Sequence, residues 1–206
     1  LYQLPLGVVG IAVGIVLLPE LSKRIQNGDK EGARLAFKRA NEVSFALSFP
    51  AAVALFVIPL PLVSALFEHG ATARSDAVAM AQACAIYAIG LPAFILQKVL
   101  QPLYFAQEDT KTPFRFAIFA MIVNASLAIG LMNVLGWVAS AIATTVSSWV
   151  MVGFLVTGAR RFGNMAKVGA EGRQRLTRIA VAAFSMGAGL WVLNAFCANY
   201  IDTTVL

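Results

Sequence analysis

The sequence predicts an all-α fold, a polytopic transmembrane bundle of about six helices, on three observations. Apolar residues make up 59% of the chain and charged residues only 13%, against about half and a quarter in soluble domains. Mean hydropathy is +0.77. The apolar residues gather into six runs near the length that crosses a bilayer's hydrocarbon core, about 20 residues, and the cations fall between those runs.

The runs lie at about 2–21, 43–67, 78–106, 113–135, 137–157 and 179–198. Residues 1–157 therefore hold five membrane helices, 158–178 a basic connector, and 179–206 an additional membrane helix with a periplasmic end. The chain starts at Leu1 within an apolar run, with no basic leader before it, which predicts a piece cut inside or beside a membrane helix.

Charge tells the connectors apart. Ser22 to Asn41 carries Lys23, Arg24, Lys30, Arg34, Lys38 and Arg39 against Asp29 and Glu31, and the positive-inside rule makes it cytoplasmic. Glu68 to Ala77 has Arg74, Gln107 to Thr112 has Lys111 with Arg115 just beyond, and Asn133 to Gly136 has no charge. Thr157 to Thr177 carries Arg160, Arg161, Lys167, Arg173 and Arg175 against Glu171, and Arg178 follows. The connectors thus alternate in, out, in, out, in. The net charge of +6 is a topology signal rather than a nucleic-acid surface. Both ends then face the periplasm, so further spans on either side are expected. Asp29 to Asn41 mixes Ala33, Leu35, Ala36, Phe37 and Ala40 with cations, which suits an interfacial helix or an ordinary solvated connector.

Residues that interrupt the apolar pattern mark candidate sites. In the first run Gly10 and Gly14 stand at the i, i+4 spacing of close helix contacts, with Gly7 before them. Pro5, Pro19, Pro50, Pro59, Pro61, Pro92 and Pro102 remove backbone donors and should bend several spans, as in transporter cavities and in many unremarkable membrane helices. In the third run Gln97, Gln101 and Tyr104 recur at i, i+4, i+7, so one face of its cytoplasmic half is expected to be wet. Lys98 is the one ionisable side chain well inside a run. A lysine at the bilayer centre costs about 2.5–3.5 kcal/mol, and such residues usually face a polar cavity or pathway. Snorkelling is the other reading: Ala106 lies roughly 12 Å further along the helix, and the lysine stem reaches part of the way.

In the turn from Gln107 to Pro113, Thr112 can cap the fourth helix with Pro113 in its first position. Asn124, Ser126, Ser140, Thr144, Thr145, Ser147 and Ser148 add small polar groups to the fourth and fifth runs, for interhelical hydrogen bonds or an ion site. Enzyme chemistry finds no glycine-rich phosphate loop, paired carboxylates, metal-spaced histidines or Asp-rich diphosphate motif. The one histidine, His69, sits in an outside connector, and Cys84 and Cys197 lie in apolar runs as small hydrophobes. The expectation is a protein that is not an enzyme and uses no metal, cofactor or nucleic acid.

Two stretches resemble the MurJ/MviN lipid II flippase family. One is the opening segment from Leu1 to Gly14 with Leu17-Leu18-Pro19-Glu20-Leu21-Ser22. The other is Lys98-Val99-Leu100-Gln101-Pro102 with Tyr104 and the turn Asp109-Thr110-Lys111-Thr112-Pro113. The resemblance runs over essentially the whole chain and implies the second lobe of a flippase-like transporter, helices eight to thirteen of fourteen. Such a protein moves the undecaprenyl-diphosphate-linked peptidoglycan precursor, lipid II, to the outer leaflet of the bacterial cytoplasmic membrane by alternating access through a cationic cavity.

The resemblance implies substrate binding by Lys98 with Gln97 and Gln101, since a cation suits a diphosphate where water is scarce. It marks Pro19, Pro102, Asp109, Lys111, Thr112 and Pro113 as motif residues. Asn124 and Thr144 map onto a sodium site found in some members, although Ala128 stands where an acidic ligand is expected. Coupling to a monovalent ion or to the membrane potential is therefore an open expectation. Implied partners are lipid II, membrane lipids and cell-wall synthesis proteins. Two alternatives share features with this reading: a drug or polysaccharide exporter of the same superfamily, and a polyprenyl-phosphate membrane enzyme.

Overall fold

The computed structural model describes residues 1–68, 73–166 and 170–204. His69 and Lys167 lie outside the described residues, as do the side chains of Cys197 and Glu171. Among the described residues the elements are helical: α1 (Gln3–Gln26), α2 (Lys30–Val57), α3 (Pro59–Phe67), α4 (Arg74–Phe105), α5 (Lys111–Leu135), α6 (Val138–Ala159), a 3-10 stretch (Arg160–Ala166) and α7 (Ala170–Thr204). Six of these helices are long and apolar enough to cross a membrane; α3 is too short.

The segment 43–67, expected as one span, is two helices. Ile58 precedes Pro59, whose ring pushes it out of the helical region to φ −124°, ψ 47°, and α2 ends there. Pro59 then opens α3, where a missing N–H is harmless. At its other end α2 starts well before the apolar run, so residues 30–41 form its opening turns. Asp29 caps them by accepting the Gly32 N–H at 2.8 Å, and Arg34 pairs with Glu31 at 2.5 Å. Lysine, arginine, glutamate and alanine are good helix formers, so the helix continues past the apolar stretch. The connector shrinks to 27–29, where Gly28 takes φ +74°, a conformation glycine adopts without strain.

The α4–α5 turn is also capped differently from expectation. Thr112 is the second residue of α5 and gives its backbone N–H to Asp109 Oδ1 at 3.0 Å. Asp109 therefore does the capping, and Pro113 stands third, still within the turn whose N–H groups lack helical partners.

α4 is the hub of the bundle. It packs on α1, α2, α3 and α6, while α5 lies mainly on α6, and α7 packs on α2. Small residues are buried on both helices of the α4–α6 contact, among them Ala88, Gly90 and Ala93 on α4 and Ala141, Ala143 and Thr145 on α6, and a Cβ on Gly90 would lie 3.0 Å from Thr145 Oγ1. Lipid tails are as apolar as leucine, so helices in a membrane associate by close backbone approach and hydrogen bonds rather than by excluding water. Thr145 donates to the Ile86 carbonyl at 3.1 Å and the Trp149 indole to the Ile89 carbonyl at 3.1 Å, stitching the same pair. Large apolar side chains such as Val8, Ile15, Phe114, Ile129 and Phe196 are left exposed, as a lipid-facing surface requires.

Three basic connectors meet at one end of the bundle. There Arg24 bridges Glu20 at 2.5 Å and Asp29 at 3.0 Å, Arg161 pairs with Asp109, and Arg175 pairs with Glu42 at 3.1 Å. Leu21 and Phe37 join Leu103, Tyr104 and Leu155 in the buried cluster beneath them.

Candidate functional site

Along α4, the residues expected to share a substrate site diverge. Gln97 and Gln101 face α5 and α6, where they line an open cleft of about 430 Å³ with Met121, Asn124, Thr144 and Ser147. Lys98 is one residue on and so turned about 100° away. Its side chain is exposed on the side where α4 meets α1. The structure thus joins Gln97 and Gln101 to Asn124 and Thr144, expected as a separate ion site, and leaves Lys98 outside the cleft.

The cleft is neutral and internally bonded. The Asn124 amide donates to Thr144 Oγ1 at 3.3 Å and to Ser147 Oγ at 3.2 Å. Thr144 donates in turn to the Ser140 carbonyl at 2.8 Å, and the Thr144 carbonyl accepts from Ser147 at 3.0 Å and Ser148 at 2.7 Å. Gln97 donates to the Ser148 carbonyl at 3.2 Å. Carboxamides and hydroxyls of this kind suit a neutral hydrogen-bonding group. Among the described residues the lining holds no carboxylate to balance a cation, and no three His, Cys, Asp or Glu side chains gather.

The wet face expected on α4 ends before Tyr104. That residue is fully buried; its hydroxyl donates to the Leu155 carbonyl at 2.5 Å and its ring meets Phe162 edge-on at 5.1 Å. Arg161 lies over both rings, 5.3 Å from Tyr104 and 4.8 Å from Phe162, and pairs with Asp109. The stripe of i, i+4, i+7 positions holds, but α6 covers its basic end. There Gly158 leaves room: a Cβ on it would sit 2.7 Å from the Tyr104 hydroxyl oxygen. Among the motif residues, Pro19 is exposed, Pro102 and Pro113 are buried, and Lys111 is exposed at the start of α5.

Sequence reasoning missed Glu42. Its carboxylate is only 15% exposed, lies 4.0 Å from the Lys38 ammonium and accepts from Arg175 at 3.1 Å, so it ties α2 to α7. An acid four residues after a lysine at the edge of an apolar run was the available signal. A second, apolar groove of about 670 Å³ runs between α2, α4, α6 and α7, walled by Phe45, Phe49, Phe56, Trp149, Phe184 and Trp191 among others.

Comparison with known proteins places the architecture. A family model described as lipid II flippase MurJ matches residues 1–206. A probable lipid II flippase MurJ of Rhizobium meliloti (strain 1021) is 41% identical over 197 residues, covering 93% of this chain and 36% of that protein. Its counterpart in Rhizobium tropici is 43% identical over 150 residues, covering 73% of this chain and 28% of that protein. A solved structure titled lipid II flippase MurJ, inward closed conformation, superposes with a TM-score of 0.80 at 22% identity, over 93% of this chain and 39% of that one. The chain therefore spans about a third of the length of these relatives. With a whole-chain family match, close relatives and a shared helical architecture in agreement, the chain belongs to the lipid II flippase MurJ family.

Proposed function

We propose that this chain is the later lobe of a transporter that carries lipid II from the inner to the outer leaflet of the bacterial cytoplasmic membrane by alternating access. The three basic connectors then lie on the cytoplasmic side. The observation that carries the reading is Lys98, a cation set well inside a membrane helix and presented, exposed, at the α1–α4 seam rather than buried in an ion pair. A diphosphate headgroup meets it there, because a cation away from bulk water pairs strongly with an anion. The neutral cleft around Gln97, Gln101, Asn124 and Thr144 supports hydrogen bonding to uncharged parts of the cargo or between moving helices, and the apolar groove is compatible with its hydrocarbon chain. Lipids and cell-wall synthesis proteins are the partners this reading implies. Drive by the membrane potential fits a cleft without a carboxylate better than drive by a bound cation.

The exporter alternative, if its cargo is a cationic drug, calls for an acid in the cleft, and the polyprenyl-phosphate enzyme calls for carboxylates within the spans. Of the described acids, Glu20 lies in the last two turns of α1 and Asp109 in the α4–α5 turn, while Glu42, midway along α2 at the edge of its apolar run, is already taken up by Arg175. The test is lipid flipping by the intact protein in proteoliposomes, with and without an imposed potential. Lys98→Ala should lower flipping of lipid II strongly; normal flipping by that variant would remove Lys98 from the mechanism.

A further inference from the structure

We infer that Gly10, on a π-helical turn of α1, is a positioning residue for Lys98, so that α1 sets where the ammonium carried by α4 can reach. The inference rests on the reading of Lys98 as the headgroup cation.

Residues Leu6–Ile11 form a π-helical turn between Pro5 and the regular part of α1. Such a turn redirects the residues on it relative to an α-helix and recurs at functional sites. Gly10 sits in this turn against α4: a Cβ there would lie 3.3 Å from Lys98 Cγ and 3.7 Å from Lys98 Cβ. One turn further on, a Cβ at Gly14 would lie 3.6 Å from the Lys98 carbonyl oxygen. The bare backbone of α1 therefore lies along the lysine stem and its peptide, while the side chain as a whole stays exposed. A stem lying against backbone loses rotamer freedom near its root, and the sweep of the charged end narrows.

The seat is specific to one side of the turn. Gly7, in the same π-helical segment, has nothing within 4 Å of its Cβ position. Ile95 and Val99, beside Lys98 on α4, are fully buried, whereas the lysine side chain is exposed. A Cβ at position 10 would also lie 3.3 Å from Leu6 Cδ1, so a larger side chain there presses on Leu6 and Lys98 together, and the exposed lysine is the one with open space to swing into.

The test uses the intact protein in proteoliposomes, with lipid II flipping and site-resolved amine labelling of Lys98 by mass spectrometry as readouts. Gly10→Leu should raise the labelling rate of Lys98 several-fold and lower flipping about tenfold, the equivalent of one charge-assisted hydrogen bond lost. Gly7→Leu, an equal insertion with no neighbour, should change neither. In a Lys98→Met background, which keeps the stem and removes the charge, Gly10→Leu should bring no further loss. Unchanged Lys98 labelling in Gly10→Leu, or an equal flipping loss with and without the charge, would overturn the inference. Should Gly10→Leu fail to insert, Gly10→Ala applies the same push over a smaller radius, and the same two readouts decide. Normal flipping by Lys98→Met alone would instead remove the headgroup role of Lys98, while the labelling arm would still report whether Gly10 seats the stem.

Discussion

Truncating Tyr104 tests the packing at the basic end of the bundle. Tyr104→Ala removes a ring with no solvent exposure, its edge contact with Phe162 at 5.1 Å and the bond to the Leu155 carbonyl at 2.5 Å. Large aromatic-to-alanine truncations in packed interiors cost about 3–5 kcal/mol, of which an aromatic pair supplies about 0.5–1.5. Tyr104→Phe keeps the ring and loses only the hydroxyl. Leu155 lies inside α6, where its carbonyl retains a helical partner, so no acceptor is orphaned and the cost should stay near 0.6–1 kcal/mol. Unfolding can be followed in detergent by the reactivity of the buried Cys84 thiol, in a Cys197→Ser background. The expected order is a large drop in midpoint for Tyr104→Ala and a small one for Tyr104→Phe, and on the proposed flippase role lipid II flipping by the intact protein with Tyr104→Phe stays within about twofold of normal. Abolished transport in Tyr104→Phe at unchanged stability would refute the reasoning and return Tyr104 to a wet transport face.

Three further outcomes follow from the same geometry. Asn124→Ala breaks two bonds from α5 to α6, at 3.3 and 3.2 Å, and at about 0.6 kcal/mol each should loosen α5 by roughly 1 kcal/mol, read as faster amide exchange in α5 than in α4. Arg175 is 63% exposed beside the nearly buried Glu42, so a double-mutant cycle of Arg175→Ala with Glu42→Gln should give a coupling of no more than about 1 kcal/mol that shrinks with salt; salt-independent coupling would contradict the exposed geometry. Single cysteines at Arg178 and Asn133, in a background without the native thiols, should label from opposite sides of the membrane, with Arg178 cytoplasmic; periplasmic labelling of Arg178 would invert the topology.

Sequence alone determined the class, because crossing hydrocarbon is a local property. A run of about 20 apolar residues must form a helix to satisfy its own backbone, whatever surrounds it. The basic connectors could likewise be read directly, and the tertiary structure gathers three of them at one end, with Arg24, Arg161 and Arg175 each paired to an acid. Helix ends were less legible, because composition marks where hydrocarbon stops and not where backbone hydrogen bonding stops. Hence α2 reaches back to Lys30 and breaks at Ile58.

Pairing between distant residues needed the fold. Gln97 and Lys98 are neighbours in sequence, yet one faces the cleft with Asn124 and the other lies against Gly10, because successive helical residues turn by about 100° and only the placement of α1, α5 and α6 says what stands on each side. Tyr104 keeps the polar stripe of Gln97 and Gln101, but α6 closes over it at Gly158. Glu42 and Arg175 stand 133 positions apart and become partners only when α7 packs on α2. Membrane helices carry no strong hydrophobic drive toward one another, so their contacts are chosen by small residues and scattered polar groups whose meaning emerges in three dimensions.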